Sequence, residues 1–186
     1  MRRLEIGPNK GKLPGFETLD AVKSPIVDHV GDCRRMKFKD GSFDLVYSCH
    51  VLEHIEWAEV EATVIEWARI VKPGGWLEVH CLNALDLMKA LVALEETGEW
   101  TGPGIGTWRH DQIHGDPYLW CAARIMNYPK GGNELQKHRA IITPKYLRRC
   151  FEKAGLVDLA PLTREDMRGS RHMEFINVGL KGRKPC

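Results

Sequence analysis

Two neighbouring segments constrain the fold of this chain more than any other feature. Residues 38–55 read FKDGSFDLVYSCHVLEHI, and residues 68–79 read ARIVKPGGWLEV. The first segment joins a turn dipeptide, Asp40-Gly41, to a short run of aromatic and β-branched residues at 43–47. That combination is typical of a buried strand that follows a turn. The second segment has glycines in front of another such run, and it predicts a second strand over residues 76–79.

A helix is predicted between these two strands. Apolar residues recur there at helical spacing, at Val60, Val64, Trp67 and Val71. Residues 72–75 then supply a cation, a proline and two glycines, which together end a helix. A strand, a crossover helix and a second strand form a βαβ unit, whose parallel sheet must be covered on both faces.

The residues that follow the first strand are candidates for a binding site. Ligands of open parallel sheets bind beyond the carboxyl ends of the strands. Polar and nucleophilic side chains stand at that place in this sequence, namely Ser48, Cys49, His50 and Glu53.

The two segments, at this separation, resemble the second half of a class I S-adenosylmethionine-dependent methyltransferase. In that family a DGSFDxVxxxxVLEH segment is followed by a helix and by KPGG before the fifth strand, and the resemblance covers most of the chain. It implies an α/β fold with a doubly wound, mostly parallel, seven-stranded Rossmann-like sheet. It also implies S-adenosylmethionine as cofactor and S-adenosylhomocysteine as product.

The amino-terminal residues match the cofactor loop of this family in part. Residues 3–6 are a strand candidate, and GPNKG follows at 7–11, where the family has a G-x-G-x-G loop. This chain keeps the outer glycines but has Asn9 in place of the middle one. The resemblance implies cofactor contacts from this region at Glu5, Ile6, Gly7, Pro8 and Gly11.

The next strand, predicted over 16–20, ends in Asp20, which matches the ribose-binding carboxylate of the family. A carboxylate can accept hydrogen bonds from both vicinal hydroxyls of a ribose. Only residues 7–17 separate the first two strands, barely the dozen or so that a parallel crossover needs, so we expect little or no helix there. This shortened amino terminus resembles a group of short methyltransferases associated with surface-polysaccharide or small-metabolite genes.

A third strand is predicted over residues 26–30, and Asp32 and Cys33 follow it. In the family, an acid at the position of Asp32 bonds the adenine amino group, and the next residue contributes its main-chain N–H. Ser48, Cys49 and His50 complete the cofactor-binding set that the resemblance implies. The alternative is that Asp20 and Asp32 are only turn residues at strand ends, as aspartate often is.

Histidines are the candidate catalytic residues. The methyl donor is a sulfonium that leaves as a neutral thioether, so alignment of the reacting atoms carries most of the catalysis. A base is needed only if the acceptor must lose a proton, and histidine suits that role near neutral pH. The candidates are His50, His80, His114 and His138. His110 and His114 have the spacing of metal ligands on a helix, but no third ligand accompanies them at a diagnostic spacing, so no metal is predicted.

An insertion follows the fifth strand. Residues 82–96 have the apolar spacing of an amphipathic helix. Residues 100–133 are rich in glycine and predict a lid over the cofactor, because long loops in small domains are commonly functional. Aromatic rings in this insertion can contact a sugar or an aromatic acceptor, or can simply pack it down; they are Trp100, Trp108, Tyr118, Trp120 and Tyr128.

The carboxyl-terminal region predicts a capped helix and a hairpin. Thr143 can cap a helix that begins at Pro144 and ends at Gly155. Residues 156–159 and 175–180 are the last two predicted strands, with a loop over 163–171. The prediction for the whole chain is a single domain over 1–186, with a cofactor-binding half (1–81), a lid or substrate insertion (82–142) and a carboxyl-terminal helix and hairpin (143–186).

The composition suits a single cytoplasmic domain. Hydrophobic residues make up 43% and charged residues 28% of the chain, and there is no signal-like or membrane-length apolar run. Six cysteines fall without paired spacing and are expected to be free thiols of a reducing compartment. We therefore expect a cytoplasmic protein without a membrane partner, and its oligomeric state stays open.

Charge is divided unevenly along the chain. Residues 1–95 carry 12 basic and 15 acidic side chains, a balance of −3, whereas residues 96–186 carry 15 and 10, a balance of +5. A basic substrate half favours a phosphorylated or carboxylated acceptor, or RNA. No nucleic-acid-binding module accompanies it, so an RNA methyltransferase is the less favoured reading.

The leading functional hypothesis is a methyltransferase that acts on a small acceptor with a hydroxyl or amine group, such as a sugar. The competing hypothesis is a methyltransferase-fold protein that does not catalyse and serves as a binding or scaffold subunit, because Pro8 and Asn9 alter the glycine loop. A dinucleotide oxidoreductase is a distant third, since the VLEH and KPGG segments are not features of that group.

Overall fold

A computed structural model describes residues 1–8, 11–102, 113–126, 134–168 and 177–186. The strands in these ranges form one sheet. They are β1 (Arg3–Ile6), β2 (Glu17–Asp20), β3 (His29–Val30), β4 (Phe43–Cys49), β5 (Val71–Leu82), β6 (Val157–Pro161) and β7 (Asn177–Arg183). Their order is β3-β2-β1-β4-β5-β7-β6. The first five pair in parallel and β7 pairs antiparallel with both β5 and β6, which confirms the predicted seven-stranded sheet and its terminal hairpin.

The described helices are α1 (Val60–Ile70), α2 (Ala84–Thr97), α3 (Pro117–Ile125) and α4 (Pro144–Lys153). Single turns of 3-10 helix lie at Leu52–His54, Trp57–Glu59, Glu134–Gln136 and Arg164–Asp166. The predicted cap of α4 is confirmed, because the Thr143 side chain accepts a hydrogen bond from the Tyr146 N–H and Pro144 opens the helix. None of the helices in the described ranges is long and apolar enough to cross a membrane.

The sheet is covered on both faces. Alternation along β4 sends Val46 into the main core, where it joins Trp67 of α1 and Phe151 of α4. Leu45 and Tyr47 face the other way and pack with Phe16 in a smaller cluster. The crossover between β1 and β2 contains no helix in its described residues, as expected from its length, with Asn9 and Lys10 outside the described residues.

A third cluster fixes the insertion to the sheet edge. It joins Leu82 at the end of β5 and Leu87 of α2 to Ile113 and Trp120. Trp100 meets Trp120 edge to face, with ring centroids 5.5 Å apart, so these two rings serve packing. The predicted roles of Trp108, Tyr128 and His110 lie outside the described residues.

Two predicted element boundaries are wrong. We predicted Val71 in α1 and a turn over residues 72–75, whereas α1 ends at Ile70 and β5 already begins at Val71. The register against β4 shifts between Phe43 and Leu45, so the KPGG segment is accommodated as an irregularity within the strand. A Cβ on Gly75 would lie 2.8 Å from the Asp44 carbonyl oxygen, which explains why glycine occupies this position.

The third strand is also shorter than predicted. We expected residues 26–30, and β3 comprises only His29 and Val30. The main-chain N–H of Asp28 is bonded instead by the hydroxyl of Thr18, and the Thr18 hydroxyl donates to the Ile26 carbonyl. Side-chain hydrogen bonds therefore take the place of strand pairing in this segment.

Candidate functional site

The carboxyl ends of β1, β2 and β4 meet where the strand order reverses. β1 lies between β2, the next strand in the chain, and β4, which comes two strands after β2. Ile6 is in register with Leu19 on one side and with Ser48 on the other. Such a switch point leaves a crevice at the carboxyl edge of a parallel sheet, and it is the usual place for a ligand.

Gly7 lies where the turn after β1 packs against the loop after β4. Its φ of 70° is in the left-handed region, and its N–H donates to the Leu19 carbonyl over 2.9 Å. A Cβ at this position would lie 2.2 Å from Cγ2 of Val51. The turn after β1 and the loop after β4 therefore contact each other with no room for a side chain. Of the other predicted loop residues, Pro8 is buried and Gly11 is exposed.

Asp20 stands at the end of β2 with one carboxylate oxygen engaged. Its Oδ1 accepts a hydrogen bond from the Val22 N–H over 2.8 Å. Among the described residues no hydrogen bond is made to its Oδ2. The carboxylate thus retains an acceptor at the sheet edge where the family binds a ribose.

Asp32 is already paired. Both of its oxygens accept hydrogen bonds from the guanidinium of Arg34, at 2.7 to 3.0 Å, and Arg34 also bridges to Glu59. The hydrogen bonds from Arg34 lower the pKa of Asp32 below its ordinary value. The carboxylate is therefore ionised, and any adenine contact must share it with Arg34.

The remaining predicted cofactor residues are mostly buried. Glu5 accepts a hydrogen bond from the Leu13 N–H over 3.0 Å, and burial raises the pKa of its carboxyl group. Burial likewise raises the pKa of the Cys33 thiol to about 12. Ser48 is buried, and its hydroxyl has no hydrogen-bond partner among the described residues. Cys49 is the last residue of β4.

His50 is paired with Glu53. The ring Nδ1 of His50 lies 2.7 Å from Oε1 of Glu53, which also accepts a hydrogen bond from the Leu82 N–H. Glu53 has no solvent exposure. Burial alone would raise the pKa of this carboxyl group, but the adjacent His50 imidazole lowers it to about 2. Glu53 is therefore a buried carboxylate that is ionised at neutral pH.

Two further histidines stand beside Glu53. One ligand atom from each of Glu53, His54 and His138 lies within 4.8 Å of the others. The rings of His54 and His138 are 4.8 Å apart between centroids. The structure thus brings together two predicted catalytic histidines, His50 and His138, around a carboxylate that we had placed at the binding edge without a role.

His80 and His114 occupy different surroundings. His80 is buried, and burial lowers the pKa of its imidazole to about 4. Its carbonyl accepts the His50 N–H over 2.9 Å, so it supports the main chain of His50. His114 is exposed in the insertion with a φ of 48°.

A cleft of about 440 Å³ lies at the opposite edge of the sheet, by the amino ends of β1 and β4. Four of its charged lining residues pair with one another, Arg2 with Glu17 and Lys72 with Asp44, and Arg3 lies over the Phe16 ring. The predicted ribose carboxylate, Asp20, lies at the other end of the strands, so this cleft is not the predicted cofactor site.

Residues 15–79 match the family model described as a methyltransferase domain. This match covers about a third of the chain. The sheet order and the solved structures described below confirm the fold prediction, and the match supports the family prediction. S-adenosylmethionine is the cofactor of that family. One curated relative of the chain is ajmaline N-methyltransferase of Rauvolfia serpentina, which is 32% identical over 73 residues, or 39% of this chain and 24% of that protein. The chain spans less than half the length of the first curated relatives it matches.

Solved structures of methyltransferases share the fold of this chain. A SAM-dependent methyltransferase of Thermotoga maritima superposes with a TM-score of 0.54 at 16% identity, over 98% of this chain and 82% of that one. Phosphoethanolamine N-methyltransferase 2 of Haemonchus contortus, in complex with S-adenosyl-L-methionine, gives a TM-score of 0.54 at 13% identity, over the whole of this chain and 49% of that one.

Proposed function

We propose that this protein is an S-adenosylmethionine-dependent methyltransferase whose acceptor is a small molecule with a hydroxyl or amine group, such as a sugar. The observation that carries the proposal is the meeting of the carboxyl ends of β1, β2 and β4 at the switch point. There the turn at Gly7 leaves no room for a side chain against Val51, and Oδ2 of Asp20 accepts no hydrogen bond from the described residues. The match of residues 15–79 to a methyltransferase domain supports this choice of cofactor.

The cofactor-binding roles follow from the geometry of the edge. Asp20 accepts hydrogen bonds from the ribose hydroxyls. The turn at Gly7, which packs against Val51 with no room for a Cβ, lies beside the cofactor in this proposal. Asp32 and Cys33 lie past β3, where the adenine ring is expected. When bound, S-adenosylmethionine supplies a methyl group on a sulfonium that departs as a neutral thioether.

His50 is the base of the proposed reaction. Its Nδ1 donates to Glu53, and this hydrogen bond assigns the proton to Nδ1 and the lone pair to Nε2. A lone pair on a ring held by a buried carboxylate suits proton removal from an acceptor hydroxyl. His80 is not assigned this role, because burial lowers the pKa of its imidazole to about 4.

We also propose a negatively charged acceptor and a cytoplasmic location for the protein. The balance of +5 over residues 96–186 favours an acceptor with a phosphate or carboxylate group. The cysteines of the chain are free thiols, three of them buried, which suits a reducing cytoplasm.

The test is a calorimetric titration of the purified chain with S-adenosylmethionine and S-adenosylhomocysteine, with NAD as the control ligand. We expect micromolar binding of both sulfur compounds and none of NAD. Binding of NAD alone would instead indicate an oxidoreductase. Absence of binding by all three would leave the non-catalytic scaffold as the better account.

A positive titration is followed by a screen of acceptors with the labelled methyl donor. Phosphorylated and carboxylated sugars, small amines and a short RNA are offered in parallel. We expect label in a small hydroxyl or amine compound. Transfer to the RNA alone would overturn the proposed acceptor class while leaving the cofactor assignment intact.

A further inference from the structure

We propose that Glu53, His54 and His138 form a binding site for a divalent transition-metal cation, for which Zn²⁺ is the representative ion. The three residues offer a carboxylate oxygen and two imidazole nitrogens, and one ligand atom from each lies within 4.8 Å of the others. This site lies apart from Gly7 and Asp20, and methyl transfer as described above does not require a cation, although Glu53 also holds His50.

The donor set suits such an ion. Imidazole and carboxylate ligands are shared by zinc sites and by sites for other first-row metals. With metal–ligand bonds of about 2.0–2.1 Å, neighbouring ligand atoms of a tetrahedral site lie about 3.4 Å apart. The widest separation of the three atoms, up to 4.8 Å, must therefore shrink by as much as about 1.4 Å on binding. Movement of the half-buried imidazole rings can supply this change.

Both histidines have the second hydrogen bond that orients a metal ligand. The Nδ1 of His138 lies 2.6 Å from the Arg124 carbonyl oxygen, and the Nδ1 of His54 lies 3.2 Å from the Lys137 carbonyl oxygen. A carbonyl oxygen accepts hydrogen bonds only, so each Nδ1 carries the proton. Each Nε2 is left with a lone pair, which is the arrangement found in metal-binding histidines.

The buried carboxylate supplies a second, independent observation. Oε1 of Glu53 is bonded by His50 and by the Leu82 N–H. Oε2 is buried and has no hydrogen-bond partner among the described residues. An unpartnered carboxylate oxygen in the protein interior costs free energy, and a cation placed between it and the two imidazoles removes that cost.

The position of the site indicates what the cation does. Glu53 and His54 lie in the single helical turn Leu52–His54 after β4, whereas His138 lies where the chain returns from the insertion. The Glu53 carbonyl already accepts the N–H groups of Arg139 and Ala140, at 2.8 and 3.1 Å. A cation here would join the insertion to the carboxyl end of β4 by side-chain bonds as well. Three protein ligands leave one coordination position for water or for an acceptor oxygen.

The experiment uses the full chain, without a histidine tag and treated with a chelator, in a titration with Zn²⁺ followed by calorimetry. We expect one equivalent to bind. His54→Ala and His138→Ala are each expected to weaken binding at least tenfold. The matched control is His29→Ala, since His29 lies on β3 and pairs with Glu17 away from this site; it should bind as the unaltered chain does. No saturable binding, or equal binding by all variants, would overturn the proposal.

A second measurement keeps the test decisive if a variant loses its fold, which circular dichroism would reveal. X-ray absorption of Zn²⁺ bound to the unaltered chain counts the imidazole ligands directly. We expect two imidazoles with the remaining ligands oxygen. A spectrum with sulfur ligands or without imidazole would contradict the assignment whatever the variants do.

Discussion

Nδ1 of His50 and Oε1 of Glu53 lie 2.7 Å apart, in a hydrogen bond whose carboxylate partner has no contact with solvent. His50 itself has a φ of 55°, which is uncommon for a residue with a side chain. The hydrogen bond to Glu53 and the main-chain bond to the His80 carbonyl hold it in that conformation. The ring of His50 is therefore fixed at the carboxyl end of β4.

The first prediction concerns this pair. Glu53→Gln keeps an oxygen for His50 Nδ1 but removes the charge that stabilises the imidazolium. The assay uses protein freed of metal by a chelator and an acceptor with a hydroxyl group. We expect kcat to fall by about ten- to a hundredfold, because general-base catalysis contributes about that much or more. The affinity for S-adenosylhomocysteine should not change. An unaltered kcat, with an unaltered pH profile, would show that the pair does not take part in proton transfer.

The second prediction concerns pH and His80. Burial lowers the pKa of the folded His80 to about 4 from its ordinary 6.5, so between these values the unfolded chain binds more protons. Stability from this residue is complete above pH 6.5 and is lost as the pH falls towards 4. The loss amounts to about 3 kcal/mol at most. Urea unfolding at a series of pH values should show a flatter dependence for His80→Gln; equal slopes for both proteins would contradict the assignment.

The third prediction compares two glycines with similar backbone angles. Gly7 and Gly15 have φ values of 70° and 76°, but a Cβ would clash with Val51 only at Gly7. Gly15→Ala should cost about 1 kcal/mol in the free energy of unfolding, from the backbone angle alone. Gly7→Ala should cost clearly more and should also weaken cofactor binding. Equal costs in urea unfolding would mean that the contact with Val51 is unimportant.

The fourth prediction concerns Arg168, which donates two hydrogen bonds to the mostly buried Glu78, at 2.7 and 3.0 Å. Arg168→Ala leaves that carboxylate without its partner and should cost about 1–2 kcal/mol. Arg183→Ala is the control, because its partner Asp158 is 54% exposed, and it should cost less than about 1 kcal/mol. Equal losses in urea unfolding would show that the burial of Glu78 adds nothing.

Local signals were sufficient for some elements. The apolar spacing that predicted α1 and the Thr143-Pro144 start of α4 act within a few residues. Both helices form, although α1 ends at Ile70, one residue before the predicted Val71. The start of α3 has a similar signal, which our sequence prediction did not use: Asp116 caps the helix and Pro117 is its first residue. The KPGG segment was misread as a turn, since its pairing with β4 and β7 depends on strands far away in the chain.

The candidate site was predictable only in part. The resemblance to methyltransferases predicts Gly7 and Asp20 as cofactor residues, and the structure places them at the carboxyl ends of β1 and β2. Glu53, His54 and His138 could not be grouped from spacing, because His138 reaches the others only after the whole insertion has been crossed. A cluster that depends on long-range folding leaves no periodic signal in the sequence.

The most direct test of the central claim is a calorimetric titration of S-adenosylhomocysteine into Asp20→Ala. Asp40→Ala is the control, since Asp40 is 78% exposed and lies away from the crevice. We predict that Asp20→Ala binds at least tenfold more weakly than the unaltered chain, from the loss of the hydrogen bonds to a charged acceptor, while Asp40→Ala binds normally. Full-strength binding by Asp20→Ala would contradict the placement of the cofactor at this edge.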